Sequence, residues 1–514
     1  MTPARVPPAH PLVAHVQWDR RQFIERVAAA ALALGGAPSL LAACSSSPRS
    51  TDPAISPSTS PPPTLPYDPA LPYWMQGGFA PVHDQVEAFD LEVSGALPPE
   101  LDGLYVRNGS NPASGPSPHW FLGDGMVHGV RLAAGRAQWY RNRYVDTPLL
   151  REGTGLLGSS APGGARNQSN VSVFHHAGRL LSSGEVGLPY ELSTTDLSTN
   201  GPYDYAGRLT TSMTAHPKID PVTGRMHFFG YGFVPPYLTY HVASADGELV
   251  YTGDIEVAGP TMIHDFAITE RDAVFWELPV VFDLDLAMKL VSGESTAFPF
   301  RWDESYGARL GIMPLEGPTS AIRWVEIEPC YIFHGVNAYR RGDEVVIDAC
   351  RLPHIFREGG DTGSSRPHRW LVNTAGPQLT VSDEPLSDVP MDLPAVDRRF
   401  TGRRSRHGWY LMTEADGDFP IEFAGLAHRD ETTGELDRYA PGGSYRLNEG
   451  FVVASGDGEG EGWLLSYAWD RERGASDLVV LDALDLASGP VARVHLPVRV
   501  PYGFHGVWVP AASD

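Results

Sequence analysis

Cysteine is scarce in this sequence: Cys44, Cys330 and Cys350 are the only three in 514 residues. No Cys-x-x-Cys pair occurs, which argues against a thiolate zinc site. Cys330 and Cys350 lie in apolar, strand-like runs, where buried inert thiols are the rule. A disulfide between them is open only outside the cytoplasm. Basic residues are also in short supply, 39 against 62 acidic, and the resulting net charge of −23 disfavours nucleic acid as a partner. No His-Glu-x-x-His motif is present, and no Gly-x-Gly-x-x-Gly opens a helix, so neither a local metal motif nor a dinucleotide fingerprint can be read. Long apolar runs are missing too. The stretch from Val27 to Ala43 is interrupted by Gly35, Gly36 and Pro38 and is too short and too weakly apolar to span a bilayer.

The N-terminal run reads instead as an address. Arg20-Arg21-Gln22-Phe23 precedes it, and Leu41-Ala42-Ala43-Cys44 ends it. The first half looks like a twin-arginine export signal and the second resembles a bacterial lipobox, with Cys44 as the lipid-bearing residue after cleavage. Residues 1–44 are therefore expected to be a lipoprotein signal peptide, placing the chain on the outer face of the cytoplasmic membrane or in the cell envelope. Residues 45–66 are almost wholly Ser, Pro, Thr and Ala. Such a segment cannot bury enough apolar surface to offset its ordering entropy, and it is expected to be a flexible tether.

Residues 67–514 are expected to form one all-β domain. Short runs such as Gly103–Arg107, Arg225–Phe229, Ala273–Trp276, Glu344–Asp348 and Trp463–Tyr467 alternate with turn signals. The turns include Asp-Pro-x-Thr-Gly at 220–224, Arg-Gly-Asp at 341–343 and Thr-Thr-Gly at 432–434. Many antiparallel strands without a Pro/Ser-rich break favour a propeller, which closes them with few open edges.

Of 18 histidines, four share a local setting at or near the end of an apolar run. They are His216 in Thr-Ala-His-Pro, His264 in Ile-His-Asp-Phe, His334 in Ile-Phe-His-Gly and His505 in Gly-Phe-His-Gly. A lone histidine in a strand is usually an ordinary core residue. A site built from four such distant segments needs a radial fold in which strand ends meet on an axis. Imidazole nitrogen suits iron, zinc, copper and nickel alike, so spacing leaves the metal open.

These segments, in this order, resemble the carotenoid cleavage oxygenase family, which also holds the stilbene cleavage dioxygenases. Two further blocks carry the resemblance: Leu104-Tyr-Val-Arg-Asn-Gly109 with Asn111-Pro112, and His119-Trp-Phe-Leu-Gly-Asp-Gly-Met-Val-His128. The resemblance implies a seven-bladed β-propeller with a helical and loop cap over a substrate tunnel. It also implies Fe(II) held by His216, His264, His334 and His505 alone, and dioxygen as co-substrate. His119 and His128 belong, on the same resemblance, to a structural block beside the tunnel at most.

The family supports three of its ligands with acids. By resemblance, Glu185 orients His264, and Glu459, with Glu461 as the alternative register, orients His505. Asp392 stands where the family has a glutamate that supports His334. Being one methylene shorter, it requires the backbone to move in, a bridging water, or another acid such as Glu384. Val171 falls where the family often has a threonine beside the iron, and it would wall the oxygen side with an apolar group.

The implied reaction adds dioxygen across a C=C bond and yields two carbonyl products. Stilbene-cleaving members grip a phenol oxygen with a tyrosine and a lysine, the lysine lying soon after the Gly-Asp-Gly-Met block. Residues 140–151 hold no lysine, which favours an apolar carotenoid or apocarotenoid over a stilbene or phenylpropene. A non-catalytic binding propeller is the alternative from another class; retention of all four histidines speaks against it.

Overall fold

The structure is a computed structural model that describes Asp68 and residues 70–153, 166–357, 362–416 and 419–511. The expected signal peptide and tether lie outside the described residues. Seven antiparallel sheets follow one another along the chain and form a seven-bladed β-propeller. Four-stranded blades begin at Ser172–His176, Lys218–Ile219, Ala267–Ile268, Tyr331–Arg341 and Met391–Ala395. The first strand Tyr331–Arg341 packs against those at Ala267–Ile268 and Met391–Ala395, and Gly506–Pro510 packs against Ser172–His176, so innermost strands of adjoining blades meet.

The two ends of the chain close the ring. The C-terminal strand Gly506–Pro510 pairs with Gly103–Ser110, from Gly103 opposite Pro510 to Arg107 opposite Gly506. The early strand Val93–Gly95 pairs in turn with Pro490–His495 in the last blade. This double lock leaves neither terminal blade with an unpaired seam. Arg107, fully buried, reinforces it: its Nη1 donates to Asn448 Oδ1 at 2.6 Å, and its Nη2 donates to the Pro501 carbonyl.

The turns follow from their sequences. In Asp220–Gly224 and Asp430–Gly434 the glycine has φ of +68° and +79°, a conformation that costs glycine nothing. Each turn is pinned by its aspartate, whose Oδ1 accepts from Val222 N at 3.0 Å or from Thr432 N at 2.8 Å. The blade that begins at Ala267–Ile268 carries an insertion with strands Val280–Phe282 and Phe300–Trp302 and the helix Leu284–Ser292. Asp283 caps that helix by accepting from Leu286 N, and left-handed Gly293 ends it. No described helix is long and apolar enough to cross a membrane. Cys330 and Cys350 are buried free thiols, so the open pairing is not formed.

Candidate metal centre

The site follows from where each blade begins. His216 precedes Lys218–Ile219, His264 precedes Ala267–Ile268, His334 lies in Tyr331–Arg341, and His505 precedes Gly506–Pro510. Val171 precedes Ser172–His176, and Asp392 lies in Met391–Ala395. The remaining blade offers Glu449, in the break between Tyr445–Leu447 and Phe451–Ala454. All seven blades thus contribute a residue at or near the same end of an axial strand.

The four histidines converge. One ring nitrogen of each lies within 4.8 Å of those of the others. His216 Nε2 and His264 Nε2 face each other at 2.9 Å. The ring centroids of His216 and His505 are 4.4 Å apart, and those of His334 and His505 are 5.0 Å apart.

Acids face the outer nitrogens of three rings, two of them through well-aligned hydrogen bonds. His334 Nδ1 donates to Asp392 Oδ1 at 2.7 Å, and His505 Nδ1 donates to Glu449 Oε1 at 2.8 Å. Glu185 Oε2 stands 2.9 Å from His264 Nδ1. No carboxylate pairs with His216 among the described residues. An acid at Nδ1 fixes the tautomer and leaves the Nε2 lone pair aimed inward.

Burial pushes the His216 imidazole well below its ordinary value, and the other three rings add to the effect. Burial also lowers His334, against the upward pull of Asp392. His264 is raised: burial alone would lower it, but Glu185, Asp265 and Asp392 outweigh that.

Asp392, though one methylene shorter than glutamate, reaches His334 directly from an irregular stretch of its strand. The pairing register shifts between Asp392 and Ala395, and Leu393 takes a left-handed φ of +49°. This β-bulge re-aims the side chain, with Leu393 N also donating to Asp392 Oδ1 at 2.7 Å. Glu384 is not needed; it lies on Thr380–Pro385, 4.0 Å from Arg369.

Glu459 must be corrected. It does not touch His505: its Oε1 accepts from the backbone N–H groups of Arg406 and His407 at 2.7 and 3.0 Å. Glu461 does not fill the role either, since its Oε2 accepts from Gly458 N at 2.9 Å. Both lie in the turn beyond Phe451–Ala454, on the far side of that strand from Glu449. Arg406 and His407 line a separate cavity of about 760 Å³ with His428, Asp430 and Asp437, none of which belongs to the histidine cluster.

Beside the cluster the wall is apolar. Val171, Ala215 and Phe504 pack together with Trp120 and Phe121, and Val171 O accepts from His505 N at 3.0 Å. Phe333 lies edge-on to His264 at 5.3 Å and to Phe121 at 6.1 Å.

A metal ion fits this donor set. His505 Nε2 is buried without a hydrogen-bond partner among the described residues, an arrangement that is costly unless something else occupies the lone pair. Four imidazoles, three of them with a carboxylate at the outer nitrogen, form an all-nitrogen shell suited to a first-row transition metal.

Comparison with known proteins agrees with this architecture. The family model described as retinal pigment epithelial membrane protein matches residues 79–510. The chain is 38% identical over 495 residues to a carotenoid cleavage oxygenase of Mycobacterium tuberculosis, covering 85% of this chain and 97% of that protein. It is 35% identical over 502 residues to a carotenoid 9,10(9',10')-cleavage dioxygenase of Phaseolus vulgaris, covering 86% and 90%. Among solved structures, the lignostilbene dioxygenase of Pseudomonas brassicacearum is similar with a TM-score of 0.79 at 29% identity, covering 87% of this chain and 100% of that one. The chain belongs to the retinal pigment epithelial membrane protein family, that of the carotenoid cleavage oxygenases, which are non-haem iron dioxygenases.

Proposed function

We propose that this chain is an Fe(II)-dependent dioxygenase that cleaves a C=C bond of a carotenoid or apocarotenoid to two carbonyl products. One observation carries the reading: four imidazoles from four blades converge, with acids on the outer nitrogens of three. When bound, ferrous iron supplies the centre at which dioxygen and the alkene react. Glu185, Asp392 and Glu449 hold His264, His334 and His505 in the tautomer that presents Nε2. Val171, Ala215 and Phe504 keep water from the open side, and Phe121 and Phe333 offer apolar faces to the alkene.

A stilbene or phenylpropene substrate is the second reading, supported by the likeness to a lignostilbene dioxygenase. The polar groups after the Gly-Asp-Gly-Met block favour the first. Tyr140 hydroxyl is bound to His128 Nδ1 at 2.9 Å, and Tyr144 hydroxyl to Asn111 Nδ2 at 2.7 Å. Neither is free for a phenol, and no lysine accompanies them.

Anaerobic iron loading, followed by oxygen uptake and product analysis with an apocarotenal and with a hydroxystilbene, tests both readings. Aldehyde products from the apocarotenal support the first, and products from the hydroxystilbene alone support the second. Absence of products from either contradicts the enzyme.

Export by the twin-arginine route and lipid anchoring at Cys44 complete the proposal, resting on Arg20-Arg21 and Leu41–Cys44. Fractionation of cells making the Cys44→Ala chain tests it: loss from the membrane fraction is expected, and unchanged membrane retention contradicts it.

A further inference from the structure

His119 stands at one end of a row of aromatic rings whose other end is the histidine cluster. It stacks on Phe298 at 4.5 Å with an interplanar angle of 27°, and it lies edge-on to Phe121 at 4.7 Å and near Trp74 at 5.4 Å. From Phe121 the row continues to Phe333 at 6.1 Å and from there to His264 at 5.3 Å. Phe298 comes from the insertion that carries the helix Leu284–Ser292, so this insertion and the propeller body both contribute to this end.

The protonation of His119 is fixed by its surroundings. Burial pushes its pKa down to about 4, so the ring is neutral at ordinary pH. Nδ1 accepts from Phe121 N at 3.2 Å, which places the single ring proton on Nε2. No hydrogen bond to Nε2 exists among the described residues. His119 is half-buried, and its fixed N–H donor, set among aromatic faces, is open to an acceptor on a ligand that displaces water.

We propose that His119 Nε2 donates a hydrogen bond to an oxygen at the end of the substrate remote from the cleaved bond. This rests on the dioxygenase reading above and deepens it to a substrate class: a ligand apolar along its length with a neutral carbonyl, hydroxyl or ether oxygen at its tip. A carboxylate is disfavoured, because one neutral donor among aromatic rings does not compensate a buried anion.

The test compares an all-trans β-apocarotenal with the hydrocarbon in which a methyl group replaces the aldehyde. Binding to the iron-free full chain is read by tryptophan fluorescence quenching, and turnover is read separately on the iron-loaded chain. The wild type is expected to bind the aldehyde about tenfold more tightly, the worth of one hydrogen bond. His119→Phe keeps the stacked ring and is expected to erase that preference, while His119→Gln, which retains a donor, keeps part of it. Equal binding of the two ligands by the wild type overturns the proposal, even if the variants fail to fold. So does a His119→Phe chain that weakens both ligands alike. A binding preference without cleavage would instead remove the dioxygenase reading and leave His119 as the oxygen-binding group.

Discussion

Asp265 accepts a hydrogen bond from the backbone N–H of Gly335 at 2.8 Å and thereby ties the strand of His264 to that of His334. The same carboxylate accepts from Phe266 N at 2.7 Å and pairs with Lys218 Nζ at 2.7 Å, two residues beyond His216. Three of the four histidine segments are thus bolted through one side chain that is 1% exposed.

Removing that bolt strands two backbone donors and a lysine that is itself largely sheltered. Asp265→Ala is expected to lose about 3 kcal/mol of stability, the usual consequence of leaving a buried charge and buried N–H groups unpaired. It should also weaken iron retention, since three ligand segments lose their common anchor. Urea unfolding together with iron content checks this. An unchanged midpoint and full iron retention would show that Asp265 is not the link.

Glu449 and Glu459 make opposite predictions. Glu449→Gln weakens the acceptor that fixes His505, and support groups of this kind are typically worth about 10–100-fold in metal affinity or activity. Glu459→Gln touches only the backbone of Arg406 and His407 and should leave iron affinity unaltered. Iron competition with a chelator, run on both variants, decides between the two acids. A larger effect at Glu459 would reverse the assignment.

Much of this site is legible in the sequence, and the reasons differ by residue. The four histidines stand out because each ends an apolar run among small residues, and the ordered neighbouring motifs single them out from the other fourteen. Asp392 could be placed by motif, but not its reach, since a left-handed Leu393 and a register shift are properties of the folded strand. Glu449 was missed because Glu459 and Glu461 sit in a more conspicuous Gly-rich segment. The available signal was positional: the other blades supply a residue at or near an axial strand, and Glu449 lies in the break of the corresponding strand of its blade. Asp265 carries no sequence signal beyond its place next to His264, because its bond to Gly335 N joins segments 70 residues apart.

The pH dependence of stability should carry the mark of Glu431. Burial and the nearby Asp348 carboxylate raise its pKa from 4.5 to about 7, against Arg429 and the Tyr410 hydroxyl, which donates to it at 2.8 Å. Between those two values the folded chain holds a proton that the unfolded chain has released. Stability from this group therefore falls as pH rises through the window, by up to about 3 kcal/mol. Thermal melting from pH 4.5 to pH 8 should show that decline in the wild type, and Glu431→Gln should flatten it. Identical slopes in the two chains would place Glu431 outside the titration.

Iron K-edge X-ray absorption on the anaerobically loaded full chain tests the central claim most directly. The account predicts an inner shell of nitrogen scatterers with the outer-ring signature of four imidazoles, lost in the His334→Ala chain. A shell dominated by carboxylate oxygen, or one unchanged by His334→Ala, would contradict it.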